Sequence, residues 1–70
     1  MANLESPIAG KVLKINIAVG DVITDEDAEI FIVEAMKMEN AVLGDLGTVK
    51  EIKVKVGDRV QEGDVLAVIE

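Results

Sequence analysis

The stretch GKVLKINIAVGDVI, residues 10–23, returns thirty-seven positions later as GTVKEIKVKVGDRV, residues 47–60. Eight of the fourteen positions are identical or exchange one β-branched aliphatic for another: 10/47, 12/49, 15/52, 17/54, 19/56, 20/57, 21/58 and 23/60. The similarity resumes at an offset of 36, with Ile30-Phe31-Ile32-Val33-Glu34 against Leu66-Ala67-Val68-Ile69-Glu70. Two copies are too few for a solenoid, which needs about three. The repeat therefore predicts two half-domains related by a two-fold and closing on one shared core.

Within each half the hydrophobic period is two. Ile15, Ile17 and Val19 alternate with Lys14, Asn16 and Ala18, and Ile52, Val54 and Val56 alternate with Glu51, Lys53 and Lys55. This predicts strands with the branched residues on a buried face and the charges in water. Val-Gly-Asp then recurs at 19–21 and 56–58. Glycine tolerates positive φ and aspartate can accept a bond from its own backbone, so both sites read as turns. Pro7 suits an edge or a turn and not a central strand. Eleven Val and eight Ile against a single aromatic, Phe31, favour strands over helices throughout. Short strands with a turn every ten residues or so predict an all-β sandwich or barrel.

Composition removes several functional classes. Seventy residues make one small domain, read as a single unit over 1–70 with no linker or low-complexity stretch. Without cysteine there is no disulfide or thiolate metal site, and without histidine the commonest metal ligand and general base is missing. A formal charge of −7 argues against nucleic acid and against an anionic membrane surface. The N-terminal MANLESP has neither the basic start nor the apolar run of a signal peptide, and no run of eighteen apolar residues occurs to insert into a membrane. The cytoplasm is the expected compartment.

One segment conflicts with the β reading. Glu34-Ala35-Met36-Lys37-Met38-Glu39-Asn40 consists almost wholly of good helix formers. Yet Ile30 to Val33 before it and Ala41 to Leu43 after it have the character of strands, and a helix of about seven residues is marginal alone. If the segment is a hairpin, two residues near Met36 and Lys37 must take positive φ with no glycine or asparagine to help. Conflicts between local propensity and fold are expected at functional sites.

Glu34-Ala35-Met36-Lys37-Met38-Glu39 resembles the attachment motif of the biotinyl domain family, Ala-Met-Lys-Met flanked by acidic residues. The resemblance extends over essentially all 70 residues, including Ser6-Pro7-Ile8-Ala9-Gly10-Lys11-Val12 and both Val-Gly-Asp turns. It implies an all-β fold: a flattened β-sandwich (barrel-sandwich hybrid) of two four-stranded antiparallel sheets with quasi-two-fold symmetry. The lysine would sit at the tip of a tight hairpin, with the termini at the opposite end. The sequence departs from the family pattern in three places. There is one residue more between Ile23 and Glu34, where the turn Thr24-Asp25-Glu26-Asp27 lacks the glycine of its counterpart Gln61-Glu62-Gly63-Asp64. The usual Ala-Pro pair is replaced around Leu43-Gly44, and the path from there to Gly47 is one residue shorter. The turn at 24–27 is also too short for the protruding thumb loop of some bacterial members.

The function implied is that of a biotin carboxyl carrier, with covalent biotin on Lys37 carried between enzyme sites. Ala35, Met36 and Met38 would form the hairpin motif read by a biotin protein ligase, with Glu34 beside it. The other partners implied are biotin carboxylase and carboxyltransferase or decarboxylase subunits, and the carrier itself is expected to hold no catalytic residue and no metal. The chain offers no histidine to act as a base for the amine, so the ligase must supply the activation. Each feature has a plainer alternative. Met36 and Met38 could be hairpin packing, and Glu34 and Glu39 a catalytic carboxylate pair, although they flank a turn with nothing to shield them. Asp25-Glu26-Asp27 with Glu29 could suggest calcium but lacks the twelve-residue EF-hand pattern. For the whole chain the alternatives are a lipoyl carrier, whose family typically shows Asp-Lys-Ala at the lysine, and an unmodified structural or docking module.

Overall fold

The computed structural model describes residues 2–70. Its eight strands are β1 (Ala2–Glu5), β2 (Gly10–Ile15), β3 (Val22–Ile23), β4 (Glu29–Ala35), β5 (Met38–Leu43), β6 (Gly47–Ile52), β7 (Arg59–Val60) and β8 (Val65–Ile69). They form two four-stranded antiparallel sheets, in the orders β1-β8-β6-β3 and β5-β4-β2-β7. Adding four to each strand number of the first sheet, cyclically, generates the second. The quasi-two-fold expected from the repeat is therefore the symmetry of the fold, a flattened sandwich.

The symmetry holds residue by residue. In the second sheet Val12 faces Val33, Lys14 faces Ile32 and Ile15 faces Phe31, while in the first Val49 faces Ile69, Glu51 faces Val68 and Ile52 faces Ala67. Both ladders slip by one residue at the same place, between Val12 and Lys14 and between Val49 and Glu51. A bulge of this kind reverses the parity of the side chains beyond it. Val12 and Ile15 thus both turn inward although they stand three apart.

Beyond Ile15 the chain leaves its sheet and crosses to the other. The Gly20 N–H donates to the Val49 carbonyl at 2.8 Å and the Val49 N–H donates to the Asp21 carbonyl at 2.8 Å. Reciprocally, Gly57 N–H donates to the Val12 carbonyl at 2.7 Å and Val12 N–H to the Asp58 carbonyl at 2.8 Å. The aspartates close their own turns. Asp21 Oδ2 accepts from Ala18 N–H and Asp58 Oδ2 from Lys55 N–H, both at 2.9 Å. The crossing corrects one expectation. Ile15, Ile17, Ile52 and Val54 do pack on the core, but Val19 and Val56 are 63% and 62% exposed. They begin turns, and the alternation ends where the strand does.

The core is one aliphatic cluster drawn from both sheets. Val12, Phe31, Val33, Val49, Leu66 and Ala67 are fully enclosed, with Leu4, Ile23, Ile30, Val42, Val60 and Ile69 around them. Close backbone approach seals it at equivalent points. A Cβ on Gly10 would run into the carbonyl oxygen of Glu34, and one on Gly47 would lie 2.6 Å from that of Glu70. The halves differ at the turns already marked as departures. Gln61–Asp64 closes with Asp64 Oδ2 accepting from Gln61 N–H at 2.8 Å, whereas 25–28 closes with Asp25 Oδ1 accepting from Asp27 N–H at 2.9 Å. No helix among the described residues is long and apolar enough to cross a membrane.

Gly20 and Gly57 have φ of 97° and 99°, with no atom within 4 Å of a would-be Cβ, so alanine there meets backbone strain and nothing else. Gly20→Ala and Gly57→Ala are each expected to destabilise by about 1–3 kcal/mol, and by similar amounts. Denaturant melts of the two variants test this. One variant unfolding while the other melts like the parent would show that the halves are not energetically equivalent.

Candidate functional site

The last cross-strand pair of β4 and β5 is Ala35 with Met38, so Met36 and Lys37 form a two-residue turn by themselves. Their φ angles are 54° and 64°, and among the described residues no other non-glycine has positive φ. Positive φ at both central positions is the type I′ turn of two-residue hairpins, whose backbone twist matches the right-handed twist of the strands. Asparagine and glycine usually fill such turns. Methionine and lysine there meet a steric cost of about 1–2 kcal/mol each.

The flanking strands hold the turn in this state. Six residue pairs, Glu29 with Leu43 through Ala35 with Met38, fix the register. Phe31, Val33 and Val42 anchor it in the core, and Ala35 is buried directly under the turn. A helix over residues 34–40 would withdraw these strands from both ladders, and its local propensity is overridden. Asn40 adds a tie within the hairpin, its Nδ2 donating to the Met38 carbonyl at 3.1 Å and to the Val33 carbonyl at 3.3 Å.

The side chains divide cleanly about the turn. Lys37 is exposed, and neither ion pair among the described residues involves it. Met36 is 92% exposed and Met38 66% exposed, so both stand out beside the amine instead of packing beneath it. Glu34 and Glu39 face each other across the ladder, both exposed on the outer face, one pair below Ala35 and Met38. Like charges directly opposed in a sheet are unfavourable. In water they lack the enclosure that would tune a pair of carboxylates for acid–base work. The arrangement presents a primary amine with an apolar collar on a rigid stem, and a primary amine can be acylated.

The tip and the termini lie at opposite ends. Lys11 pairs with Glu34 at the tip end of β2, and the same chain runs on through Ile15 to Gly20, which is bonded to Val49 beside Ile69. The longest dimension of the molecule is 30 Å. An open hollow of about 330 Å³ lies between Asn16, Asp21, Thr24, Asp25, Ala28 and Glu29, and none of residues 34–40 lines it. The candidate site is a protrusion, not a pocket.

Of the residues singled out in the sequence, Met36, Lys37 and Met38 come together at the tip, Ala35 lies under them, and Glu34 sits one pair down. The sequence reading assigned no role to Asn40. Its signal was an asparagine, poor in strands, standing where a strand must continue.

Residues 2–69 match the model of the family described as biotin-requiring enzyme. Over 68 residues the chain is 43% identical to the mitochondrial propionyl-CoA carboxylase alpha chain of Homo sapiens, covering 96% of this chain and 9% of that one. Over 60 residues it is 47% identical to the biotin/lipoyl attachment protein of Bacillus subtilis, covering 84% of this chain and 81% of that one. The crystal structure of Kluyveromyces lactis urea carboxylase matches the fold with a TM-score of 0.86 at 38% identity, over 99% of this chain and 6% of that one. The chain thus spans about a tenth of the length of the propionyl-CoA carboxylase chains it matches.

Two substitutions should move the hairpin in opposite directions. Met36→Asn places a residue that tolerates positive φ at the turn and should stabilise by about 1 kcal/mol. Asn40→Asp is isosteric but turns an acceptor toward two carbonyls, and should destabilise by about 0.5–1.5 kcal/mol. Thermal melts read both. Faster amide exchange in β5 should accompany Asn40→Asp, and unchanged exchange there would remove the role given to its side chain.

Proposed function

The chain belongs to the biotin-requiring enzyme family as a biotinyl-type carrier domain, and on that premise we propose that biotin is joined in amide linkage to Nζ of Lys37. The observation carrying this reading is the left-handed turn at Met36 and Lys37. The fold sustains an unfavourable backbone there and exposes one amine on it. The fit is chemical as well as geometric. An amide to biotin needs a primary amine that is accessible, not engaged in an ion pair, and held where a second protein can enclose it. Lys37 has all three properties among the described residues.

The acylation needs help that this chain does not contain. The Lys37 amine must lose a proton before its lone pair can attack an activated acyl carbon. The sequence has no histidine, and Glu34 and Glu39 lie on the sheet face without pairing to the lysine. A biotin protein ligase therefore supplies both the acyl adenylate and the base, and adenylate leaves as the amide forms. Once attached, biotin supplies a ring nitrogen that takes up a carboxyl group at one enzyme site and yields it at another.

The domain's own residues position and present. A two-residue turn has little internal freedom, so the lysine stem begins from a fixed point and its reach is set by side-chain bonds. Tethering of this kind raises the local concentration of the attached group at a partner site to about the millimolar range. Met36 and Met38 offer flexible, polarizable surface that can pack against several different partners, which suits a carrier visiting a ligase, a biotin carboxylase, and a carboxyltransferase or decarboxylase. Glu34 and Ala35 complete the recognised motif, one as a charge beside the tip and one as the small buried residue beneath it. Residues 1–70 act in this reading as one carrier unit without catalysis of its own, a reading supported by the single shared core.

Lys37→Arg keeps the positive charge but not an acylable amine, and should abolish incorporation of biotin while the melt changes by less than about 0.5 kcal/mol, as expected for an exposed site. The wild-type chain is incubated with biotin protein ligase, biotin and ATP, then examined by intact mass and peptide mapping. Biotin on any other lysine, or a lipoyl adduct on the chain isolated from its own cell, would refute the assignment.

A further inference from the structure

The surface of this chain offers oxidants very few targets. The sequence holds no cysteine, histidine, tryptophan or tyrosine, and its single phenylalanine, Phe31, is fully buried. What remains are the thioethers of Met1, Met36 and Met38, of which Met1 lies outside the described residues. Seven large apolar residues are exposed, and five of them, Val19, Val22, Leu43, Leu46 and Val56, carry hydrocarbon side chains inert to peroxide. The other two are Met36, at 92% exposure, and Met38, at 66%. Among the described residues, peroxide chemistry is therefore directed to the two positions that flank Lys37.

The fold is indifferent to what these two sulfurs carry. Met36 lies in the two-residue turn, Met38 closes the ladder opposite Ala35, and both side chains stand outward. Backbone holds the turn, through six ladder pairs and the bond from Asn40 Nδ2 to the Met38 carbonyl at 3.1 Å. An oxygen added to either sulfur meets solvent and displaces no core atom. In a core the same addition would be disruptive. The cost falls on contact with other molecules. A thioether is soft and apolar, whereas a sulfoxide is polar and chiral. Enclosing an oxidised tip in a partner site desolvates an acceptor that the site is not built to satisfy.

We propose that Met36 and Met38 are sites of reversible oxidation by peroxide, and that their sulfoxides slow the loading of the carrier with its carboxyl group while the fold and the Lys37 linkage stay intact. The inference rests on Lys37 being the attachment point. In the forward step a lone pair of the thioether sulfur attacks one oxygen of hydrogen peroxide. The O–O bond breaks as the S–O bond forms, and the other oxygen leaves as water. Sulfur gives up two electrons and the peroxide takes them. The return step needs two thiol equivalents, which methionine sulfoxide reductases employ: the oxygen leaves as water and the thiols join as a disulfide. Two reductases are required, one for each epimer at sulfur. Since only side chains at the tip are changed, the switch acts on encounters with partners and not on stability.

The test treats the unbiotinylated 70-residue chain with hydrogen peroxide, removes the peroxide with catalase, and maps the product. Trypsin separates the sites, since residues 15–37 contain Met36 alone, residues 38–50 Met38 alone and residues 1–11 Met1 alone. Biotin is attached only afterwards, to completion with excess ligase, because biotin carries a thioether of its own. Carboxylation by the biotin carboxylase of the same cell is then followed with ATP and bicarbonate, beside denaturant melts. Met36 should oxidise as fast as in the urea-unfolded chain, and ahead of Met38. The oxidised chain should melt like the parent yet lose about tenfold in kcat/KM, the scale of burying an unsatisfied polar group. Both sulfoxide reductases with thiol should restore the rate. M36L/M38L, whatever its own rate, should not change on peroxide treatment. Protection of both methionines in the folded chain, or full oxidation with unchanged carboxylation, overturns the proposal. So does an equal loss in M36L/M38L, which would place the effect at Met1, or an early melt of the oxidised chain, which would place it in the fold. If the untreated chain takes up no biotin, or takes it up and is not carboxylated, the proposed function fails and this inference with it. If the untreated chain is loaded and carboxylated and oxidation changes nothing, only this inference fails.

Discussion

Beside the β1–β8, β2–β7 and β3–β6 ladders, four reciprocal hydrogen bonds at the two Val-Gly-Asp turns tie the two halves of this chain into one object. Each Val-Gly-Asp turn reaches across to the start of the other half, where the carbonyl of Val12 or Val49 accepts from a glycine N–H and its N–H donates to an aspartate carbonyl. Neither half can satisfy the backbone of its first long strand alone. Buried N–H and C=O groups are strongly disfavoured without partners, and Val12 and Val49 are fully buried. The exchange therefore obliges the halves to fold together. It also places the edge strands, since Val22 and Ile23 follow one turn directly and Arg59 and Val60 the other, each laid against the opposite half's strand.

A two-fold built from one chain has to be broken somewhere, and here the break falls at the hairpin that carries Lys37. The strand pair β4–β5 corresponds to β8–β1, down to the bulges that follow Glu29 and precede Glu5. At one pole the chain continues from the first strand of the pair into the second through Met36 and Lys37. At the other pole the equivalent strands, β8 ending at Ile69 and β1 beginning at Ala2, are not consecutive in sequence. The fold thus has two equivalent poles, of which only one needs a turn. A connection limited to two residues is forced into positive φ by the strand twist whatever side chains occupy it. The left-handed backbone of the lysine follows from loop length and register, with no contribution from the lysine itself.

Much of this was legible in the sequence, for a physical reason. Strand identity, pairing partners and turn positions depend on β-branched content, on Gly-Asp pairs and on the repeat, and all of these are local or periodic signals. The requirement for positive φ near Met36 and Lys37 could be stated because a hairpin without glycine leaves no other choice. What stayed hidden depends on contacts between residues distant in sequence. The bulges at Leu13 and Lys50 shift the inward face by one residue, and the pattern of Ile15, Ile17 and Val19 gives no sign of where the strand stops and the crossing begins. Val19 and Val56 continue the alternation in sequence, but the face ends before reaching them. The bonds of Asn40 were equally invisible, since they depend on Val33 being its cross-strand partner. The division of the charges between paired and free could not be read either. Lys11, Lys14, Lys50 and Lys53 look alike along the chain, and only the sheet register separates them.

The composition of the turn connects stability to recognition. Asn-Gly at positions 36 and 37 would satisfy the backbone better than Met-Lys, and it would remove both the acylable amine and one side of its apolar collar. The strain of the present pair is small beside what opposes it: six ladder positions, a buried Ala35 and three core side chains, Phe31, Val33 and Val42, on the same two strands. Any rearrangement that relaxed Met36 or Lys37 into a right-handed conformation would have to shift the register of β4 against β5. A shift of one residue would turn Phe31 and Val33 toward solvent, exposing side chains that each contribute about 1.5–3 kcal/mol by burial. The strain cannot be released locally. The lysine therefore stays at a fixed point of the hairpin with its two methionines outward.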